Sequence, residues 1–356
     1  MRVLAANQEL AQALASRTPY IKLEFTSKDT LTTVDLSTDS AAYPNRILLI
    51  DHTEEPYNDY AYIMLRDNDR SIPDLKGYWT EIGYGDYYSG TAYSSPTSRM
   101  WVKEQRIVSA RGRLYTLLVL TGTWSLLAEQ PILMGTIPVY NDAGATTLSG
   151  LSIYDCILQL TIALNDSTTF AMILESLVQS DGIVDIYVPG PEIDTIDYAS
   201  LSDLVQQLMS WTKCFIRIKA GRILSIIYPQ DSDTPDKTYY SYQYPYFFDF
   251  VNSDNLVVPN RVIVFCNQDQ KTGSWPDDPE SYAGEAVDQD SIDAYMEAPG
   301  RIYLAGLIAE QADAQLRAEA ILCKIKAGLV TGQMICPHDA ALELYDLINI
   351  DDFRGF

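Results

Sequence analysis

The sequence predicts an α+β, mainly β protein in which two small barrel-like domains flank an inserted α/β module. Three observations predict it. Residues 18–130 read as short alternating strands separated by turn residues, and residues 201–227 as a helix feeding a β-hairpin. Residues 301–352 read as a long helix followed by a strand, a turn and a strand. The boundaries that follow are an N-terminal helical arm at 1–17, a first β-barrel domain at 18–130, an α/β insertion at 131–230 and a second barrel-like domain at 231–356.

The first region opens with a mildly amphipathic helix over Met1 to Ser16, with Asn, Gln and Glu inside it. Tyr20-Ile21-Lys22-Leu23-Glu24-Phe25 alternates as a half-buried strand does, and shorter strands follow at Arg46–Asp51 and Tyr60–Arg66. Asp67-Asn68-Asp69 turns the chain, since short polar side chains bond their own backbone. A strand over Gly77–Gly85 ends in glycines, and a Tyr/Ser/Gly loop over Asp86–Ser98 is expected after it. Met100–Val108 and Leu114–Gly122 pair as a hairpin about Arg111-Gly112-Arg113.

In the middle region Ser152–Leu164 and Ala171–Ser180 both read as helical. Leu201, Leu204, Val205 and Leu208 share one helical face behind Ser200, an N-cap residue. Phe215–Lys219 and Arg222–Ile227 then alternate around Ala220-Gly221.

The third region begins with an aromatic run, Tyr239–Phe250, which Pro245 confines to an edge or an irregular segment. Arg261–Cys266 is a strand, and the acidic, Pro/Gly/Ser-rich stretch 267–300 is expected as one long loop. A helix over 304–327 follows from the three-to-four spacing of Leu304, Ile308, Ala312, Leu316, Ala320, Cys323 and Ala327. Lys324 and Lys326 suit its negative end, and Gly328 caps it. Gly332–Pro337 and Leu344–Ile350 are expected as paired strands about a turn at His338-Asp339.

Composition bounds the function classes. At 356 residues, 47% hydrophobic and 21% charged, the chain predicts a folded protein of more than one domain. It has no apolar run of about 18 residues, so no membrane span is expected. No basic start followed by an apolar block marks a secretory signal. The five dispersed cysteines predict buried thiols rather than a disulfide frame or a zinc site. Net charge is −23, and it is uneven: residues 229–356 hold 22 Asp and Glu against 8 Lys and Arg, residues 1–130 only 16 against 13. Such a chain is a poor partner for phosphates, so no specific nucleic-acid binding is expected. Its carboxylates serve solubility, or line a surface past which nucleic acid slides.

No catalytic, cofactor-binding or metal-ligating residue is assigned, and no cofactor is expected. The two histidines, His52 and His338, make neither a metal quartet nor a nucleophile–base pair. Asp67-Asn68-Asp69 lacks the rest of a calcium loop, Gly83-Tyr84-Gly85 lacks a dinucleotide fingerprint's third glycine, and Gly122-Thr123-Trp124-Ser125 is no nucleophile elbow. Tyrosine is the telling residue, with 25 against 9 phenylalanines. A ring that packs while its hydroxyl stays bonded suits interfaces. Tyr84, Tyr87, Tyr88 and Tyr93 are therefore read as a subunit-contact loop, with sugar stacking as the alternative.

Taken in order, these elements resemble the tail hub proteins of bacteriophages (baseplate hub, tail-tip hub, late-control-protein-like) and of related contractile injection machines. Three places carry the resemblance. One is Leu65-Arg66-Asp67-Asn68-Asp69-Arg70 with Gly77–Gly85, similar to the strand, acidic turn and glycine-ended strand of that family's first barrel. Another is the Leu201–Trp211 helix with the Phe215–Ile227 hairpin, similar to its small α/β insertion. The last is Pro259-Asn260-Arg261-Val262-Ile263-Val264 with the terminal helix-and-strand unit.

The resemblance implies a structural protein of the virion tail, not an enzyme, made in the host cytoplasm without a signal peptide. It implies two barrels per subunit, so that three copies set six barrels around a channel through which DNA passes. The partners implied are two further copies, the six-fold tail tube or distal tail protein, and a three-fold spike, fibre or tape-measure protein. The family runs on beyond the position of Ile350 through further strands, so the resemblance implies that the last strands are supplied elsewhere, that the protein is a shortened version, or that the second barrel is incomplete at its C-terminal end. The competing readings are a tail-associated carbohydrate-binding receptor and a cell-wall hydrolase.

Overall fold

The computed structural model describes residues 1–14, 16–129, 150–165, 172–188, 200–230, 232–252, 258–267, 281–304, 311–328 and 332–354. The first part holds α1 (Ala6–Ala13), β1 (Pro19–Lys22), β2 (Glu24–Thr26), β3 (Thr33–Asp35), β4 (Ile47–Glu55), β5 (Asn58–Arg66), β6 (Trp79–Tyr88), β7 (Thr91–Ala110), β8 (Arg113–Gly122) and α2 (Thr123–Glu129). The middle part holds α3 (Ile153–Asn165), β9 (Ile173–Leu174), α4 (Leu201–Ser210), β10 (Phe215–Lys219) and β11 (Ile223–Ile227). The last part holds β12 (Lys237–Tyr240), β13 (Asp249–Asn252), β14 (Arg261–Asn267), β15 (Ser281–Val287), α5 (Gln289–Ala294), β16 (Pro299–Leu304), α6 (Gln311–Ala327), β17 (Gly332–Ile335) and β18 (Ile348–Asp351). The protein is mostly β with some helix, as expected.

The first eight strands make one sheet in the order β3-β2-β6-β7-β8-β5-β4, with β1 also on β6. The 20-residue strand β7 joins two ladders. It pairs with β6 over Thr91–Trp101 and with β8 over Met100–Ala110, and an extra residue, Lys103, bends it just past the overlap. The sheet thereby curls round its own core. Leu23, Phe25, Ile63, Ile82, Met100 and Leu118 meet there, each without exposure. Alternation on β5 shows why: Ala61, Ile63 and Leu65 point in while Tyr62 and Arg66 point out.

Turn chemistry sets the register. Ser89-Gly90 and Arg111-Gly112 each take positive φ at two successive residues, the geometry that fits the right-handed twist of a tight hairpin. Asp67 accepts from the Ile72 amide and the Thr116 hydroxyl, while Arg46 grips Asp69 at 2.6–2.7 Å. The acidic triplet Asp67–Asp69 is thus a braced turn, as its residue types predict.

The middle part packs α3 and α4 on the three-stranded sheet β10-β11-β9. Ser200 accepts from the Asp203 amide, so the N-cap forms as expected. The core here draws Trp124 and Leu127 from α2 and Ala320 from α6, beyond the insertion's own span. The helix expected over Ala171–Ser180 does not form. Among its described residues Ile173–Leu174 lies parallel to β11, and the backbone beyond is irregular.

The last part differs most from expectation. The stretch 267–300 is not one loop: β15, α5 and the start of β16 lie in it, and residues 268–280 fall outside the described residues. Leu304 closes a strand instead of opening the helix, which runs over Gln311–Ala327. The two terminal strands do not pair with each other. β17 is antiparallel to β13 and β18 is parallel to β12, so each joins a strand some 80 to 110 residues earlier. The second strand is also shorter than Leu344–Ile350, because residues 342–347 turn instead.

Candidate functional site

Tyr84, Tyr87, Tyr88 and Tyr93 do not lie in a loop. The first three are on β6 and the last on β7, joined by the turn at Ser89-Gly90. Tyrosine, serine and threonine favour a pleated half-buried surface, so this polar stretch is a strand pair. The hairpin gathers them, but three are used within the chain. Tyr87 packs edge-on to Tyr20 at 5.3 Å, and Tyr93 Oη accepts from Asn7 Nδ2 at 2.8 Å.

Tyr84 is the centre of a junction. The His52 ring stacks with it at 5.9 Å, with Nδ1 3.2 Å from the phenol oxygen, and the His338 ring packs against it at 4.3 Å. Two histidines 286 positions apart thus share one tyrosine. Burial, then the Arg2 charge, lowers the His52 pKa to about 4, and burial lowers that of His338, so both are neutral at pH 7. Burial likewise pushes the Tyr84 phenol up. Gln8 of α1 closes the junction, donating to the Tyr84 carbonyl at 3.1 Å and accepting from Ser95 at 3.2 Å.

Beside it lies a buried ionic cluster that ties the chain's three parts together. Arg2 reaches Glu54 on β4 and Glu343, each at 3.4 Å, and Arg217 on β10 reaches Asp346 at 2.8 Å and Glu343 at 3.3 Å. The Met1 amine bonds Asp346 at 2.9 Å. Glu54 is pushed up, by burial against the pull of Arg2. Further along, Asp339 accepts from Lys237 and, at 2.7 Å, from Tyr239. Burial penalises the Asp339 charge, but those bonds outweigh it and lower its pKa. Arg17 clamps Asp86 at 2.7 Å and the His338 carbonyl at 3.2 Å. The segment 338–346 is therefore a keystone held by every part of the fold.

This chemistry is positional. The imidazoles face a phenol and the carboxylates face guanidinium groups. Among the described residues, no group of three His, Cys, Asp or Glu is placed to hold a metal ion. The Cys156 and Cys214 thiols are buried and pushed up to about 12, which leaves them unreactive at neutral pH. A shallow groove runs past Lys22, Trp79 and Glu81, where Arg99 lies 3.5 Å over the indole and is held by Glu81. Among the described residues no helix is long and apolar enough to cross a membrane. Sequence reasoning missed the keystone. Its one local signal was a pair of acids, Glu343 and Asp346, inside an otherwise apolar run.

No protein-family model and no curated protein match the chain. Among solved structures it is similar to the tail protein from Neisseria meningitidis MC58, with a TM-score of 0.58 over 95% of this chain and 87% of that one, at 11% identity. It is also similar to the 43 kDa tail protein of prophage MuSo2 from Shewanella oneidensis, with a TM-score of 0.52 over 85% and 77% of the two chains, at 9% identity. At such identities the likeness is one of fold, and the chain has the fold of these two tail proteins.

Proposed function

We propose that this chain is a structural phage tail protein, a hub whose three copies join a six-fold tail tube to a three-fold tip, spike or fibre and continue the DNA channel. The observation that carries the reading is a fold shared with a tail protein over 95% of the chain. Two features support it. The curled first sheet, wrapped round its own core, is the kind of unit from which a ring of barrels is built. The polar clusters are spent on joining parts of the chain, as a load-transmitting part requires, rather than on a nucleophile and its base.

In this reading the protein acts without catalysis, and its location is the virion tail. The acidic excess of residues 229–356 lines part of the lumen and eases DNA passage by like-charge repulsion. Within the tyrosine hairpin, any subunit contact falls first to Tyr88 and the Ser89-Gly90 turn, since the Tyr84 and Tyr87 rings are already packed and the Tyr93 hydroxyl is already bonded. Negative-stain images of the purified protein test the proposal. Three-fold rings with a central hole are expected, whereas a monomer at every concentration in light scattering overturns it.

A further inference from the structure

The outer face of the first sheet is apolar where a sheet face turned to water is polar. Cross-strand register sets Leu49, Met64 and Leu117 in one row across β4, β5 and β8, and Tyr62 and Val119 in the next. Leu49 is 53% exposed and Tyr62 42%, and the bulge residue Leu48 beside them is also exposed. The rim is basic in a chain of net charge −23. Arg66, Arg111 and Arg113 are exposed and make no ion pair among the described residues. Three carboxylates share the face, Asp51, Glu55 and Glu104, and Glu104 is taken by Arg106.

The last part of the chain presents the complement. In the β13–β17 ribbon, register puts Asp249, Val251, Gln333 and Ile335 on one side, all exposed. Val251 and Ile335 are 53% and 56% exposed, and neighbouring Phe248 is 67% exposed. A two-stranded ribbon is marginal alone and gains most from a cover on its apolar side. The region that carries it holds 22 acids against 8 bases.

We infer that the outer face of β4–β5–β8–β7 docks the acidic, apolar β13–β17 ribbon of a second copy of this chain, head to tail. The inference rests on the multimeric reading above and names its interface. Unlike surfaces on one chain make a heterologous contact, which closes into a ring when the rotation allows. Apolar rows exclude water at the centre, while arginines meet carboxylates at the rim.

Mixing two variants tests it. R111E/R113E blocks the sheet face and V251K/I335K blocks the ribbon. All four positions are exposed, and circular dichroism checks that each variant folds. In sedimentation velocity the wild type is expected as an oligomer and each variant as a monomer, with association at least tenfold weaker. Mixed one to one, the two variants still own one intact face each, so they are expected to form a dimer and stop. An oligomeric wild type whose variants assemble unchanged overturns the interface and leaves the hub reading standing. Assembly lost in the sheet variant but kept in the ribbon variant means the face meets itself, and overturns it too. A monomeric wild type sinks both.

Discussion

At the residue scale, two buried groups titrate over one pH window with opposite signs. Burial raises the Asp59 pKa to about 6, against the Trp124 amide and Ser98 hydroxyl bonds that favour its charge. From pH 3.8 to about 6 the folded chain keeps a proton that the unfolded chain has released, so stability falls as pH rises. His52 runs the other way. Its pKa of about 4 means that the unfolded chain takes up a proton first as pH drops below 6.5, so stability falls with acid. Each effect is worth roughly 3 kcal/mol, so they offset. Glu54 adds to the first direction and His338 to the second. Asp59→Asn keeps one acceptor oxygen and removes one titration, so its thermal midpoint is expected to climb with pH between 4 and 6.5 more steeply than wild type. His52→Gln is expected to tilt the profile the opposite way. Parallel curves for wild type and both variants would falsify the assignment. Neither group is legible in the sequence, where an Asp or His in a strand reads the same buried or exposed. Burial depends on which distant element covers it.

At the element scale, α6 explains how a polar stretch supports a sheet. Gln315 donates to the Glu285 carbonyl at 2.9 Å and accepts from its amide at 3.2 Å, and Gln311 does the same at Ala283. Residues four apart on a helix rise about 6 Å and residues two apart on a strand about 6.8 Å, so two glutamines match the open edge of β15. The helix comes that close because Gly284 faces it: a Cβ there lies 2.0 Å from the Ala314 carbonyl oxygen. Gly284→Ala is therefore expected to cost about 3 kcal/mol in urea unfolding, with Gln315→Ala nearer 1 kcal/mol. Equal, negligible effects remove the edge-capping account. Sequence periodicity revealed the helix but not its role, since β15 (Ser281–Val287) has small residues where a strand is usually recognised by large ones. By contrast α4 was legible throughout, because Ser200 and the 201–208 stripe are local signals. Strands β4, β5 and β8 were legible for the same reason.

At the scale of the whole molecule, what the sequence hid is long-range closure. The order of strands gave the fold class, but nothing local says that β17 and β18 return to β13 and β12, or that 338–346 docks on the first sheet. Such pairings are bought by burial at a distance, and here the decisive group is Arg217. It bonds the Leu344 carbonyl and Asp346 at 2.8 Å each and lies 3.3 Å from Glu343, with both acid side chains 6% exposed or less. Arg217→Met removes one of the cluster's three cations, leaving Arg2 and the Met1 amine to hold Glu54, Glu343 and Asp346, and one surplus buried negative charge is expected to cost about 3 kcal/mol. The urea midpoint is expected to fall accordingly, and segment 338–346 to become open to limited proteolysis while the 200–227 unit keeps its structure. Asp346→Asn added to that variant removes the surplus negative charge and is expected to recover part of the loss. If the double variant is instead no more stable than Arg217→Met alone, the cluster is not held by charge compensation, and the three parts of the chain are joined by packing.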